Sequence, residues 1–314
     1  MGPDEIKGDP GFDQPWYYRL ELGPGIFTKG KDRPNLALTR ALLRKVNIEP
    51  GTRCLDVGCE EGVVSILLDR RGADVVAYDR VYSEERLSLV REALDTRFEL
   101  VGRAIRNHTD NLWLGRGGPT PGIGMPLSRL PHALLKERGD SPFDVVVFSG
   151  VLYHVYDPLA ALAFVRGCLR NGGIMIVETA ALFTAHLVLH LNGRSRFTPL
   201  SVWVPSVGCL DYMLRLVRLE PIDLLYYGGE RGRIAVACRA VDAPPGDRGD
   251  EWIGSPLHDY ELAEYLDWPG LSVDGQPVGY ARAEERIQLI DVLGEIPPYR
   301  PEREEMRLLL DAKM

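Results

Sequence analysis

From residue 53 the chain reads RCLDVGCEEGVVSILLDRRGADVVAYDR: a short apolar run, a glycine turn, a helix-length apolar segment, and a second apolar run that closes on Asp79. Strands this apolar must be covered on both faces, which restricts the chain to a parallel sheet flanked by helices. The alternation continues downstream. It predicts strands over residues 54–57, 74–78, 98–101, 143–148 and 173–177, with helices over 35–46, 63–71, 83–93 and 158–169. The expected fold class is therefore α/β, a Rossmann-like, doubly wound and mainly parallel sheet.

Around that sheet the sequence divides further. Residues 1–33, rich in glycine, proline and aromatics, form a lead-in over the active site, and 34–242 form the Rossmann-like domain. Within it, 103–141 is too long and glycine-rich for a plain crossover and is an insertion. Residues 180–206 form an acceptor-side segment. The apolar run IMIVETAALFTAHLVLHL that leads through it, interrupted by Glu178, His186 and His190, is expected to be a strand followed by a buried helix and not a membrane span. The linker DAPPGDRGD opens a C-terminal extension over 243–314, with amphipathic helices expected near 258–267 and 301–312.

A formal net charge of −8 gives no general attraction for nucleic acid or anionic lipid. Five cysteines without a CxxC pair suit reduced thiols, and no apolar stretch follows MGPDEIKGDP, so a cytoplasmic location without a secretory signal is expected.

The turn GCEEG lies where the first strand ends and the next helix starts, the crevice in which doubly wound folds bind ligands. Gly58 and Gly62 permit the tight turn. The dinucleotide fingerprint requires a glycine where Glu60 stands, and Glu60 and Glu61 are expected to occupy the place of a pyrophosphate and repel it. Two acids suit a cation instead. A nucleoside bearing a sulfonium and an ammonium fits, which points to S-adenosylmethionine, and Asp79 at the end of the second strand is placed to accept hydrogen bonds from ribose hydroxyls. A nicotinamide-dependent oxidoreductase is the rival that needs the missing glycine.

The segment FDVVVFSGVLYHVYDPLAAL, from Phe143, resembles the methyltransferase branch related to the tRNA wobble-uridine carboxymethyltransferase, through Gly150, Val151, Leu152, Tyr153 and His154 and the following Asp157, Pro158 and Leu159. VWVPSVGCLDYML and WYYRLELGPGIFTKG are similar to further parts of that family, so the resemblance covers residue 16 to about 240. It implies a class I S-adenosylmethionine-dependent transferase. Asp56, Gly58, Cys59 and Gly62 would lie along the methionine and nucleoside, Asp79 on the ribose, and the turn from Ser149 to His154 toward the sulfonium. Arg80, Ser149 and Gly150 belong to the same cofactor set. The family's carboxymethyl donor is held by a lysine in the lead-in, and none stands at the matching place here. The chain has only six lysines, against a basic tRNA-binding surface. Both departures favour plain methyl transfer to a small molecule.

Methyl transfer asks the protein for alignment and proton removal. His154 is the expected base, since histidine ordinarily titrates at about 6.5, and Tyr153 is expected to orient donor or acceptor. Tyr17, Tyr18, His186 and Trp203 are candidate walls of the acceptor site. His186 and His190, four apart, would share one helix face, but the HExxH glutamate is replaced by Leu187 and no metal is expected. The resulting expectation is an O-methyltransferase, with N-methylation second, acting on a specialised bacterial metabolite. No nucleic acid or membrane partner is expected. A tRNA-modifying (carboxy)methyltransferase and a non-catalytic S-adenosylmethionine-binding protein are the alternatives.

Overall fold

The computed structural model describes residues 1–105, 126–192, 201–229, 231–241, 289–293 and 295–300. The linker at 242–250, the helices expected near 258–267 and 301–312, and residues 106–125 of the insertion lie outside them. By internal contacts the described residues form two units: residues 1–37, 47–105 and 126, and residues 38–46 with those described from 127 to 300.

The first unit begins with helix α1 (Pro3–Gly8) and the two-stranded antiparallel ribbon β1 (Glu21–Gly23) and β2 (Ile26–Phe27). Helix α2 (Pro34–Leu43) starts in this unit and ends in the second. Then come β3 (Arg53–Val57), α3 (Val63–Asp69), β4 (Asp74–Ser83), α4 (Glu84–Leu94) and β5 (Glu99–Ile105), with β3, β4 and β5 adjacent and parallel. Leu55, Ala77, Ile66 and Leu68 are sealed from solvent, as strands apolar on both faces require. Ser83 caps α4 by accepting the Arg86 N–H at 3.4 Å. Gly102, with φ +134°, lies where any Cβ would strike the Asp79 carbonyl, so β5 can approach β4 at Asp79 only with glycine there.

The second unit contains β6 (Phe143–Ser149), α5 (Pro158–Gly167), β7 (Leu169–Leu182), β8 (Leu189–Leu191), β9 (Trp203–Pro205), α6 (Val207–Leu216), β10 (Leu219–Gly228), β11 (Arg231–Ala240) and α7 (Leu289–Leu293). Its main strands run in the order β10-β11-β7-β6. β6 and β7 are parallel, and the β10–β11 and β11–β7 pairings are antiparallel. Asp157 caps α5 with Pro158 as its first residue, and Ser206 caps α6 by accepting from Cys209 N–H at 3.1 Å. The parallel ladders and their flanking helices make the expected Rossmann-like α/β fold, with β10 and β11 as the antiparallel addition.

The helix expected after residue 177 is not formed. β7 runs on to Leu182, because β11 is long enough to pair with Thr179, Ala180 and Ala181. Beyond a bend at 185–186 the chain enters the β8–β9 hairpin. An apolar run alone does not separate a buried helix from a strand, and the long antiparallel partner decides it here. His186 and His190 consequently share no helix face. Among the described residues no helix is long and apolar enough to cross a membrane.

The described part of the C-terminal extension belongs to the second unit. The Leu289 N–H reaches Asp211 on α6, the Tyr226 hydroxyl donates to the Ile296 carbonyl at 2.7 Å, and the Tyr299 N–H donates to the Tyr226 carbonyl at 2.6 Å. This segment supplies donors and acceptors to the edge strand β10.

Candidate active site

In the first unit the chain leaves β3 through Gly58, at φ +83°, and the N–H groups of Gly58 and Cys59 donate to the Tyr78 carbonyl of β4 at 2.7 and 3.1 Å. Glu60 then takes φ +49°, a left-handed conformation that a side chain disfavours by about 1 kcal/mol. The backbone thus keeps a glycine-like shape although the residue is an acid. Its N–H donates to Asp79 Oδ2 at 3.0 Å. The two elements singled out in the sequence, the glycine turn and Asp79, are therefore joined directly, although β4 does not end at Asp79 as expected but runs on past it to Ser83, through an irregularity between Asp79 and Val81. Asp79 is half-buried, and Arg80 beside it is exposed.

Gly62, at φ +73°, has a second reason to be glycine. A Cβ there would stand 2.8 Å from Phe98 Cζ and 3.3 Å from Leu87, so the position answers to packing against the first unit's own core. Asp56 is buried, and its Oδ2 accepts from Ser65 N at 3.1 Å and Ser65 Oγ at 2.7 Å. Burial raises its pKa to about 6, although both Ser65 bonds oppose the rise. The Cys59 thiol is pushed up by burial and then by the acids Asp79, Asp56 and Glu60, so it stays protonated.

A carboxyl whose folded pKa exceeds its ordinary 3.8 contributes stability that is present at low pH and lost as pH rises through about 6. Asp56→Asn is therefore expected to remove a pH dependence. Between pH 4 and 7 the parent should lose on the order of 2 kcal/mol relative to the variant in urea titrations. Parallel profiles for the two proteins would contradict this assignment.

The expectation that both glutamates face an incoming ligand fails for Glu61. Its carboxylate is buried, accepting the Tyr17 N–H at 2.7 Å, the Tyr18 N–H at 3.3 Å and Arg86 Nη1 at 2.6 Å. Burial first, then repulsion from Glu60, push its pKa upward, while Arg86 and the two peptide donors favour the ionised form that their bonds require. Glu60 is the exposed acid of the turn, and it reaches Arg86 at 3.5 Å. Tyr17 is 38% exposed, meets Tyr18 edge-on at 4.8 Å and carries the Arg33 guanidinium 4.0 Å above its ring. The Tyr18 hydroxyl accepts from Asn35 at 3.4 Å. Arg33, Asn35, Ser65 and Arg86 were not among the residues read from the sequence. Only the position of Arg86 in the first turn after β4 offered a signal.

In the second unit β6 ends on Ser149, whose hydroxyl lies 2.8 Å from that of Thr39. Gly150 turns the chain at φ +75° with its N–H on the Glu178 carbonyl at 3.0 Å. A single 3-10 turn, Leu152–His154, follows. Tyr153 is buried against Ala180 and Val204, while His154 is half-buried with its ring centroid 4.1 Å from that of Tyr153. Above the Tyr153 ring, at 4.9 Å, is the Arg233 guanidinium. The Arg233 guanidinium grips Glu178 with Nε–Oε1 2.5 Å and Nη2–Oε2 2.8 Å. Burial would weaken that cation, but the Glu178 carboxylate outweighs burial and keeps it firmly charged.

Trp203 joins this turn through its indole N–H, which donates to the Tyr156 carbonyl at 2.8 Å, while Val202 N–H donates to the Tyr153 carbonyl at 2.7 Å. His186 does not join it. It stands exposed at the bend, and its carbonyl is taken by the Ser206 hydroxyl. Among the described residues no group of three or more His, Cys, Asp or Glu side chains is placed to hold a metal.

A family described as a methyltransferase domain matches residues 30–216. Among curated proteins, the tRNA U34 carboxymethyltransferase of Azotobacter vinelandii is 27% identical over 217 residues, covering 66% of this chain and 59% of that protein. The ubiquinone biosynthesis O-methyltransferase of Ruegeria pomeroyi is 28% identical over 182 residues, covering 55% of this chain and 62% of that protein. The chain matches between 45% and 59% of the length of three such carboxymethyltransferases. Among solved structures, the N-terminal domain of EvdMO1, determined in the presence of SAH and D-fucose, aligns with a TM-score of 0.49 at 20% identity, over 76% of this chain and 96% of that one.

Proposed function

Because the chain belongs to the methyltransferase-domain family, the S-adenosylmethionine-dependent transferases, we propose that it is a cytoplasmic methyltransferase acting on a small molecule, on oxygen ahead of nitrogen, in the making of a specialised bacterial metabolite. The observation that carries the cofactor half is the bond between Asp79 and the Glu60 N–H, which fixes a carboxylate beside the glycine turn. The donor set fits this cofactor. Asp79 offers oxygen acceptors suited to a ribose diol, and Gly58 and Gly62 keep the turn tight. One nearby cation, Arg86, is committed to Glu61 and Glu60, and so is not offered to a phosphate.

When bound, S-adenosylmethionine supplies a methyl group already activated on a sulfonium. What remains for the chain is to orient an acceptor and take its proton. His154 is proposed as the proton acceptor, with Tyr153 held in place by Arg233 and by its packing against Ala180 and Val204. Ser149 and Gly150 shape the turn that carries them, and Tyr17, Tyr18 and Trp203 are proposed contacts for the acceptor. A net charge of −8 favours a small acceptor over a polyanion.

The tRNA reading is kept as second, since a relative named tRNA U34 carboxymethyltransferase matches 66% of the chain. Incubation with methyl-labelled S-adenosylmethionine and, in separate reactions, a panel of phenols and amines or bulk tRNA decides between them. The proposal expects label in a phenol or amine and a loss of at least about 100-fold in rate on His154→Ala. Label in tRNA, with none in the panel, would overturn the small-molecule assignment.

A further inference from the structure

The buried carboxylate of Glu61 has no part in the chemistry outlined above, yet it is fully engaged in hydrogen bonds. Three donors converge on its two oxygens: the consecutive peptide N–H groups of Tyr17 and Tyr18, and Arg86 Nη1. The same Arg86 nitrogen donates to the Pro15 carbonyl at 3.1 Å. One residue further back, the Gln14 side chain is held between Glu85 and Ser83. The carbonyls of Tyr17 and Tyr18 are also taken, by the Lys31 N–H at 3.2 Å and by the Thr28 hydroxyl at 2.8 Å. At Gly30 the chain passes so close to the Tyr18 carbonyl that a Cβ would lie 2.0 Å from it.

In this arrangement only a carboxylate satisfies all three donors. An amide in its place would keep one acceptor oxygen and turn an NH2 toward another N–H, and an apolar side chain would leave two peptide donors and a guanidinium without partners. Glu60, its neighbour, has none of these bonds to the lead-in. The two glutamates that look equivalent in sequence thus have separate duties.

We propose that Glu61, held by Arg86, is a positioning residue that fastens the lead-in beside the glycine turn through the N–H groups of Tyr17 and Tyr18. It thereby fixes the two tyrosine rings and the closure of the lead-in over a bound nucleoside, while touching neither cofactor nor acceptor. The second half of this statement rests on the proposed cofactor site. The first does not.

Hydrogen exchange on the full chain, with and without S-adenosylhomocysteine, tests both halves. In Glu61→Gln the amides of residues 14–18 should exchange at least tenfold faster than in the parent, with β3, β4 and β5 as protected as before. The dissociation constant for S-adenosylhomocysteine should rise severalfold. If Glu61→Gln does not fold, Arg86→Gln gives the same readings, with at least threefold faster exchange at 14–18 expected. Unchanged protection at 14–18, or a loss spread equally over β3–β5, would overturn the latch. Released amides with unchanged S-adenosylhomocysteine affinity would leave Glu61 a structural tether and overturn its positioning role. Failure of the parent itself to bind S-adenosylhomocysteine would refute the cofactor reading, while the exchange data would still decide the latch.

Discussion

Asp79→Asn is expected to weaken S-adenosylmethionine binding at least about 100-fold, because two hydrogen bonds to a charged acceptor contribute roughly 3 kcal/mol or more together. Asparagine isolates the ligand contact from the architecture of the turn. Its side-chain oxygen can still accept the Glu60 N–H that Asp79 accepts at 3.0 Å, so the link between turn and strand is retained. What is lost is the second anionic oxygen and the charge that would hold a ribose diol. Calorimetric titration of parent and variant reads the effect directly, with urea unfolding to show that stability has moved by less than about 1 kcal/mol. Dissociation constants within threefold of each other would remove Asp79 from the ribose.

The largest effect on stability is expected at Arg233. Removing its guanidinium, as in Arg233→Met, leaves the Glu178 carboxylate buried without its charge partner, and breaking such a pair from one side costs about 3 kcal/mol or more. Glu178 is 0% exposed and Arg233 20%, so relief from solvent can come only from the arginine side. The pair also spans the β7–β11 ladder, and Arg233 caps the ring of Tyr153. Arg233→Met should therefore disturb the turn carrying His154 as well as the fold. Adding Glu178→Met removes the orphaned charge and should recover most of the lost stability, giving a coupling energy of at least about 2 kcal/mol in a double-mutant cycle. A single-variant loss below about 1 kcal/mol would mean that water reaches Glu178.

The sequence pattern carried much of this molecule, for identifiable reasons. Apolar runs bounded by glycine or by capping residues announce β3, β4, β6, α4 and α5, where each element's cover is local in sequence. Ser206 likewise marks the start of α6. The β10–β11 hairpin and the extension of β7 to Leu182 were not legible, because pairing with β11 lies some fifty residues away from β7 and overrides the apparent helix after residue 177. His186 lost its assigned helical face for that reason.

At the site, residue types were readable and directions were not. LDVGCEEG displays Gly58, Glu60, Glu61 and Gly62 as one motif, but nothing in the string says that Glu61 turns inward to two peptide N–H groups more than forty positions earlier. Nor does it say that Gly62 is required by Phe98, a contact the sequence separates by 36 residues. Ser65 is closer, in the first turn of α3, and its bonds to Asp56 explain why an acid can be buried beneath the turn. Of the glutamate pair, only Glu60 stands exposed, beside the anchored Asp79. These two acids are the groups proposed to discriminate a positively charged nucleoside from a diphosphate.

That discrimination is measured most directly by titrating the parent protein with S-adenosylmethionine, S-adenosylhomocysteine and NAD under one set of conditions. Binding of both adenosyl compounds with dissociation constants on the order of 10 μM, and none of NAD up to about 1 mM, is the predicted result. Saturable NAD binding of equal or greater strength, insensitive to Asp79→Asn, would contradict it.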